Sequence, residues 1–205
     1  PLSRPIQPWD EQTIIFTSGT TGASKGVMMS YLHMLATGEG FWYLDETDRM
    51  LVNLPMFHIG GTIFCHVALA RGGSIAMVES FQTDRFWSAI RTLSVTYMYL
   101  LGVMAAFVMK REETGEEKDT PLRHFGAIPL SEEAIAFGER YGCTAYSVFN
   151  MTEISCPLVT DADPKVPNTC GRPRPGVEVR IVDDNDCEVA RGTAGELIVR
   201  TDRPW

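Results

Sequence analysis

The stretch "TIIFTSGTTGASKGVMMS" (Thr13–Ser30) opens as a short apolar run and turns into glycine, serine and threonine with a single lysine. Gln12 to Phe16 reads as a strand. A dense group of small hydroxyl residues after a strand makes either an ordinary turn or a cradle for phosphate. Gly19, Gly22 and Gly26 let backbone N–H groups approach an anion and adopt positive φ. Thr17, Ser18, Thr20 and Thr21 can add hydroxyl donors, and Lys25 adds positive charge. After a strand, such a loop is expected at the carboxyl end of a parallel sheet, where ligands of these folds bind. A Walker A loop, G-x-x-x-x-G-K-[ST], does not fit. Ser24 stands where the second glycine belongs, and Gly26 follows the lysine. A G-x-G-x-x-G fingerprint fails as well.

Outward from this loop, apolar runs alternate with helical patterns. Ser30 is placed to cap a helix through Gly38. Met50–Leu54 reads as a strand, Gly60–Ala70 as a helix stopped by Gly72 and Gly73, and Ser74–Val78 as a strand. Thr83, with Asp84 in the first turn, starts a helix to about Leu93. Val95–Leu101 is a strand and Val103–Arg111 a helix. The charged "EETGEEKDT" (Glu112–Thr120) is expected as an exposed loop. Leu122–Ile128 is a strand, Ser131 caps "EEAIAFGERY", and Thr144–Phe149 is the next strand. This βαβα rhythm predicts an α/β fold with a mainly parallel sheet flanked by helices. Beyond Asp161 the Pro/Gly-rich "DADPKVPNTCGRPRPG" interrupts regular structure. "VEVRIVD" then alternates Val177, Val179 and Ile181 inward with Glu178 and Arg180 outward. "ELIVR" repeats the alternation, with Gly192 in the turn between, so a short antiparallel β segment is expected. The division is an α/β unit over 1–160 and a β-rich segment over 161–205.

Length and charge narrow the function. The 205 residues carry a net charge of -8, which argues against nucleic acid as the main partner. No apolar run is long enough to cross a bilayer. The start, "PLSRPIQPWDEQ", lacks the layout of a signal peptide and has no initiator methionine, so a processed chain or a piece of a longer one is expected. Cys65, Cys143, Cys156, Cys170 and Cys187 show no C-x-x-C spacing and read as buried or idle thiols in a reducing cytoplasm. The four histidines form no H-x-x-x-H or H-E-x-x-H, so a zinc site has weak support.

"IIFTSGTTGASKGV" resembles the phosphate-loop signature of the adenylate-forming superfamily, whose members include acyl-CoA synthetases. The positions Ile14 to Lys25 fit, with Ser24 where proline is commoner. Four further segments resemble the family in the same order. They are "NLPMFHIGG" (Asn53–Gly61), "FGAIPLS" (Phe125–Ser131), "VFNMTEIS" (Val148–Ser155), and "CGRPRPGVEVRIVD" with the later "GELIVR". Two of them depart from the pattern. Phe149 replaces the usual tyrosine and keeps a stacking face without the hydroxyl. Asn150 replaces glycine and is the non-glycine residue best suited to positive φ.

The resemblance implies an ATP site. Thr17, Ser18, Gly19, Thr20, Thr21, Gly22 and Lys25 would cradle the phosphates. Gly126, Ala127 and Ile128, with Phe149, Asn150 and Met151, would line the adenine. Thr152 would hydrogen-bond a phosphate and Glu153 would hold Mg²⁺. His58 would gate the acyl group and the entering thiol. Tyr97–Met104, Ser147 and Val148 would form a substrate wall, or plain core. Gly171, Pro175, Gly176 and Gly195 are scaffold. The implied reaction joins a carboxylate to AMP from ATP and then passes the acyl group to coenzyme A. The family's first subdomain and its mobile C-terminal domain with the adenylation lysine are missing from these residues, so little or no turnover is expected of them alone. Two other readings stay open: a non-catalytic nucleotide-binding module, and an amino-acid adenylation domain serving a carrier protein. The particular acid and the oligomeric state are not legible.

Overall fold

A computed structural model describes residues 4–18 and 22–202. The chain begins with strands β1 (Glu11–Thr17) and β2 (Lys25–Ser30), which pair antiparallel with Thr17 opposite Lys25. This corrects the expected setting of the glycine loop. It is the tip of a two-stranded hairpin, not the end of a parallel strand. The extended pattern resumes at once in "KGVMMS", so the chain doubles back, and helix begins only at Tyr31. Ile15 and Met29 face inward against Met34 and Ile59. Ile14, Phe16 and Met28 are exposed.

Helix α1 (Tyr31–Glu39) is capped as expected by Ser30, whose Oγ accepts from the His33 N–H at 3.1 Å. Next come β3 (Arg49–Val52), α2 (Ile59–Arg71) and β4 (Ser74–Met77), with Gly72 ending α2 at φ 78°. A 3-10 turn at Thr83–Arg85 leads into α3 (Phe86–Thr92). The chain continues through β5 (Tyr97–Leu101), α4 (Met104–Met109), β6 (His124–Ile128), α5 (Glu132–Tyr141) and β7 (Thr144–Tyr146). Ser131 caps α5 through the Ala134 N–H at 3.1 Å.

Strands β3 to β7 form one parallel sheet in the order β4-β3-β5-β6-β7. Alternate side chains feed two cores, as the period of two requires. Met98, Leu100 and Phe125 join residues of α3, α4 and α5. Tyr97 and Tyr99 join Phe41, Phe64 and Val67. Most of the Tyr97–Met104 wall is therefore core. Glu117 departs from the expected exposed loop: it is buried, and its carboxylate accepts from the Thr114 and Gly115 N–H groups.

The strand expected over Thr144–Phe149 divides. At Ser147 the backbone N–H donates to Thr160 Oγ1 and the carbonyl accepts from the Thr160 N–H, both at 2.9 Å. Pairing thereby passes from β6 to a second, antiparallel sheet of β8 (Val148–Met151), β9 (Ser155–Val159) and β10 (Arg172–Pro173). The two-residue β10 is the one strand in the Pro/Gly-rich tract. The hairpin of β11 (Val177–Val182) and β12 (Glu196–Thr201) follows. Ile181 is not inward: it is 38% exposed, and Val182 takes the buried place where Glu188–Val189 folds back beside the strand.

Candidate functional site

Two hairpin tips meet. Thr17, the last residue of β1, donates from Oγ1 to Glu153 Oε1 at 3.4 Å across 136 positions of sequence. Glu153 is exposed at the centre of the three-residue loop joining β8 to β9. Lys25 is exposed and stands opposite Thr17 in the β1–β2 register. A hydroxyl and a carboxylate thus meet where the glycine loop ends, with Lys25 on the strand paired to Thr17. Ser18 is exposed beside them. Gly22 has φ 147° and open space around it, so its backbone is accessible to a ligand. Gly19, Thr20 and Thr21 lie outside the described residues.

Behind the carboxylate, Thr152 is buried, Phe149 and Asn150 are half-buried, and Met151 is exposed. Asn150 Nδ2 is buried and has no acceptor among the described residues. A donor left this way is costly unless something else meets it. Asn150 does not use the positive φ expected of it. The left-handed residue of this loop is Ser155, at φ 64°. The chain reverses after Ile154, and the strain falls on the residue that re-enters the ladder.

His58 lies on the exposed join between β3 and α2. It is the N-cap of α2: Nδ1 accepts from the Gly60 N–H at 2.9 Å. That bond makes Nδ1 the unprotonated nitrogen of the neutral ring. Sequence reading missed this capping role, since histidine is not among the usual capping residues. The neighbouring Ile59 packs with Ile15 and Met29, which ties the start of α2 to the loop-bearing hairpin.

Gly126 and Ala127 are buried within β6. A Cβ at Gly126 would stand 2.3 Å from Tyr99 Cε1. The flat ring that this glycine admits is therefore a tyrosine of the core. Ile128, at the end of β6, packs with Val148, Cys156 and Val159 and so reaches the Glu153 hairpin. A cavity of about 550 Å³ lies elsewhere, lined by Ala36, Trp42, Val159, Arg172 and Val177 among others. None of its lining residues belongs to either loop, so its size does not make it the reactive centre.

Among the described residues no group of three or more His, Cys, Asp or Glu side chains could hold a metal. The site offers a single carboxylate beside a phosphate-type loop. Mg²⁺ suits that donor set, because it keeps waters and takes its other oxygens from phosphates rather than from an all-protein cage. No helix among the described residues is long and apolar enough to cross a membrane.

All five cysteines are free. Burial pushes the Cys143 and Cys156 thiols up to about 12, while Cys187 is exposed. Thiolate is the reactive form. At pH 8 a chromogenic disulfide reagent should therefore modify Cys187 first and leave Cys143 and Cys156 untouched until denaturant is added. Labelling followed by peptide mass mapping checks the order.

A family profile described as "AMP-binding enzyme" matches residues 1–203. A sulfoacetate–CoA ligase of Cupriavidus necator is 26% identical over 204 residues, covering 96% of this chain and 40% of that protein. The medium/long-chain-fatty-acid–CoA ligase FadD17 of Mycobacterium tuberculosis is 30% identical over 191 residues, covering 90% and 38%. The chain thus spans about two fifths of the length of these relatives. Among solved structures, the inhibitor-bound N-terminal domain of FACL13 from Mycobacterium tuberculosis superposes with a TM-score of 0.85 at 21% identity, covering 98% of this chain and 52% of that one. The O-succinylbenzoate coenzyme A synthetase of Bacillus subtilis, in complex with ATP and magnesium, gives 0.81 at 21% identity, covering 96% and 42%. These two likenesses are of fold.

Proposed function

This chain belongs to the AMP-binding enzyme family, and on that premise we propose that the protein it comes from is an ATP-dependent acid–CoA ligase whose nucleotide-phosphate site lies here. One observation carries the reading: Thr17 at the end of the glycine loop and Glu153 on a distant hairpin meet at 3.4 Å. The names of the relatives, acid–CoA ligases, favour coenzyme A over a carrier protein as acceptor. Five free thiols support a reducing compartment, which fits a cytoplasmic setting.

In this reading the backbone around Gly22 and the hydroxyls of Thr17 and Ser18 donate to the phosphates, and Lys25 offsets their charge. Glu153, together with phosphate oxygens, would hold magnesium, which when bound neutralises charge as the carboxylate substrate attacks the α-phosphate. Thr152 orients a phosphate oxygen. The free Nδ2 of Asn150 offers a donor to the base or ribose. His58 stands at the acyl and thiol entrance, its ring fixed by its own helix.

Calorimetric titration of the full-length protein with ATP, with and without Mg²⁺, tests this directly. Saturable binding that strengthens with Mg²⁺ is expected, and no detectable heat in either condition overturns the assignment. Lys25→Ala should weaken ATP binding by about tenfold or more, the scale of one charge-assisted hydrogen bond. Its melting temperature should not change, because Lys25 is exposed and outside the core.

A further inference from the structure

The loop that carries Thr152 and Glu153 is anchored by a residue in an unfavourable conformation. Three residues, Thr152–Ile154, connect Met151 to its ladder partner Ser155. A left-handed residue where a tight hairpin re-enters its ladder is a place that suits glycine. Here a serine occupies it at φ 64°, and it is only 1% exposed. Strain of this kind persists where the surroundings over-determine it.

The surroundings supply one specific bond. Ser155 Oγ lies 2.8 Å from Thr37 Oγ1, and Thr37 Oγ1 lies 2.9 Å from the carbonyl oxygen of His33. Thr37 is fully buried. Its hydroxyl has one proton. With that proton given to the His33 carbonyl, Thr37 Oγ1 is an acceptor and Ser155 donates to it.

The two residues belong to opposite arms of the site. Thr37 is on α1, which follows directly from β2 and so from the glycine loop. Ser155 begins β9, directly after the Glu153 loop. Thr17 and Glu153 join these arms at the tip, and Thr37 and Ser155 join them at the base. We infer that the Thr37–Ser155 hydroxyl pair is a latch that fixes the Glu153 carboxylate at its distance from the glycine loop. Both are positioning residues, acting through the loop and not on the nucleotide. The inference rests on the nucleotide-site reading above for its consequence, though not for its geometry.

Three variants of the full-length protein test it: Thr37→Val, Thr37→Ser and Ser155→Gly. Hydrogen exchange on the nucleotide-free protein reads the latch with no ligand present. In Thr37→Val the amides of residues 152–154 should exchange about tenfold faster, the loss of one buried hydrogen bond, while Thr37→Ser restores the slow rate. Ser155→Gly removes the bond and relieves the strain together. It should melt no lower than the wild type, yet its affinity for ATP with Mg²⁺ should fall by about tenfold, with Mg²⁺-free affinity changing by less than about twofold. A purely structural pair would lower the melting temperature and leave that ratio alone. Unchanged exchange in Thr37→Val, or Mg²⁺-dependent affinity in Ser155→Gly within about twofold of wild type, overturns the latch. A wild-type protein that binds no ATP overturns the nucleotide reading instead, and the exchange rates still decide whether the hydroxyl pair holds the loop.

Discussion

Glu153→Gln in the full-length protein is expected to slow Mg²⁺-dependent adenylate formation by on the order of a hundredfold, the usual cost of removing one preorganised charge partner from a phosphoryl or acyl transition state. Glutamine is close to glutamate in shape, and its amide oxygen can still accept from Thr17 Oγ1, so the contact between the two loops survives. Only the negative charge is lost. The stability of the protein should hold, because Glu153 is exposed and contributes nothing to the core. The binding signature separates a metal ligand from a bystander. Without magnesium, a carboxylate beside a triphosphate is repulsive, so the variant should bind ATP as well as the wild type or better. With magnesium, the wild type should gain affinity and the variant should gain less. Paired titrations measure both. Equal magnesium dependence in the two proteins would remove Glu153 from the metal's coordination, whatever the effect on turnover.

What the sequence made legible follows from how locally each feature is determined. Ser30 and Ser131 announce their helices because a cap needs only its own next three residues. Gly72 announces the end of α2 because a left-handed C-cap is a property of one residue. The alternating helices and strands from Met50 to Tyr146 gave away the parallel sheet. The glycine loop was legible as a loop and misplaced as topology. Whether a chain leaves a strand for a helix or doubles back depends on what pairs with it, and "KGVMMS" allows both. The break at Ser147 is set by Thr160, thirteen residues on, and carries no local mark. Ser155 is harder still, since its left-handed backbone is stabilised by a hydroxyl 118 positions earlier. A glycine such as Gly126 does not show in the sequence what fills the space where a side chain would stand. Here that is Tyr99, from the neighbouring strand.

Two glycines of the scaffold share a backbone conformation and differ in surroundings. Gly171 has φ 92° and Gly192 has φ 86°. Alanine at either position takes on the left-handed penalty, roughly 1–2 kcal/mol. At Gly192 nothing lies within 4 Å of the added methyl, so the penalty is the whole effect. At Gly171 the methyl would stand 2.0 Å from the Val159 carbonyl carbon and 2.3 Å from the Thr160 nitrogen. These are backbone atoms and cannot swing aside. Relief requires β10 to part from β9, where Arg172 pairs with Val159. Gly171→Ala should therefore cost about 3 kcal/mol or more, against roughly 1–2 for Gly192→Ala. Urea melts of the two variants, compared through their midpoints at constant slope, measure the difference. The damage should also reach the site. Val159 pairs with Val148 on its other side, and β8 and β9 together present the Glu153 loop. Gly171→Ala is thus expected to weaken Mg²⁺-dependent ATP binding at temperatures where it is still folded, while Gly192→Ala, on the separate β11–β12 hairpin, leaves that binding unchanged. Equal midpoints for the two variants would mean that β10 yields freely. The Pro/Gly-rich tract would then be a tether, and the fixed position of the carboxylate would come from the latch at Thr37 alone.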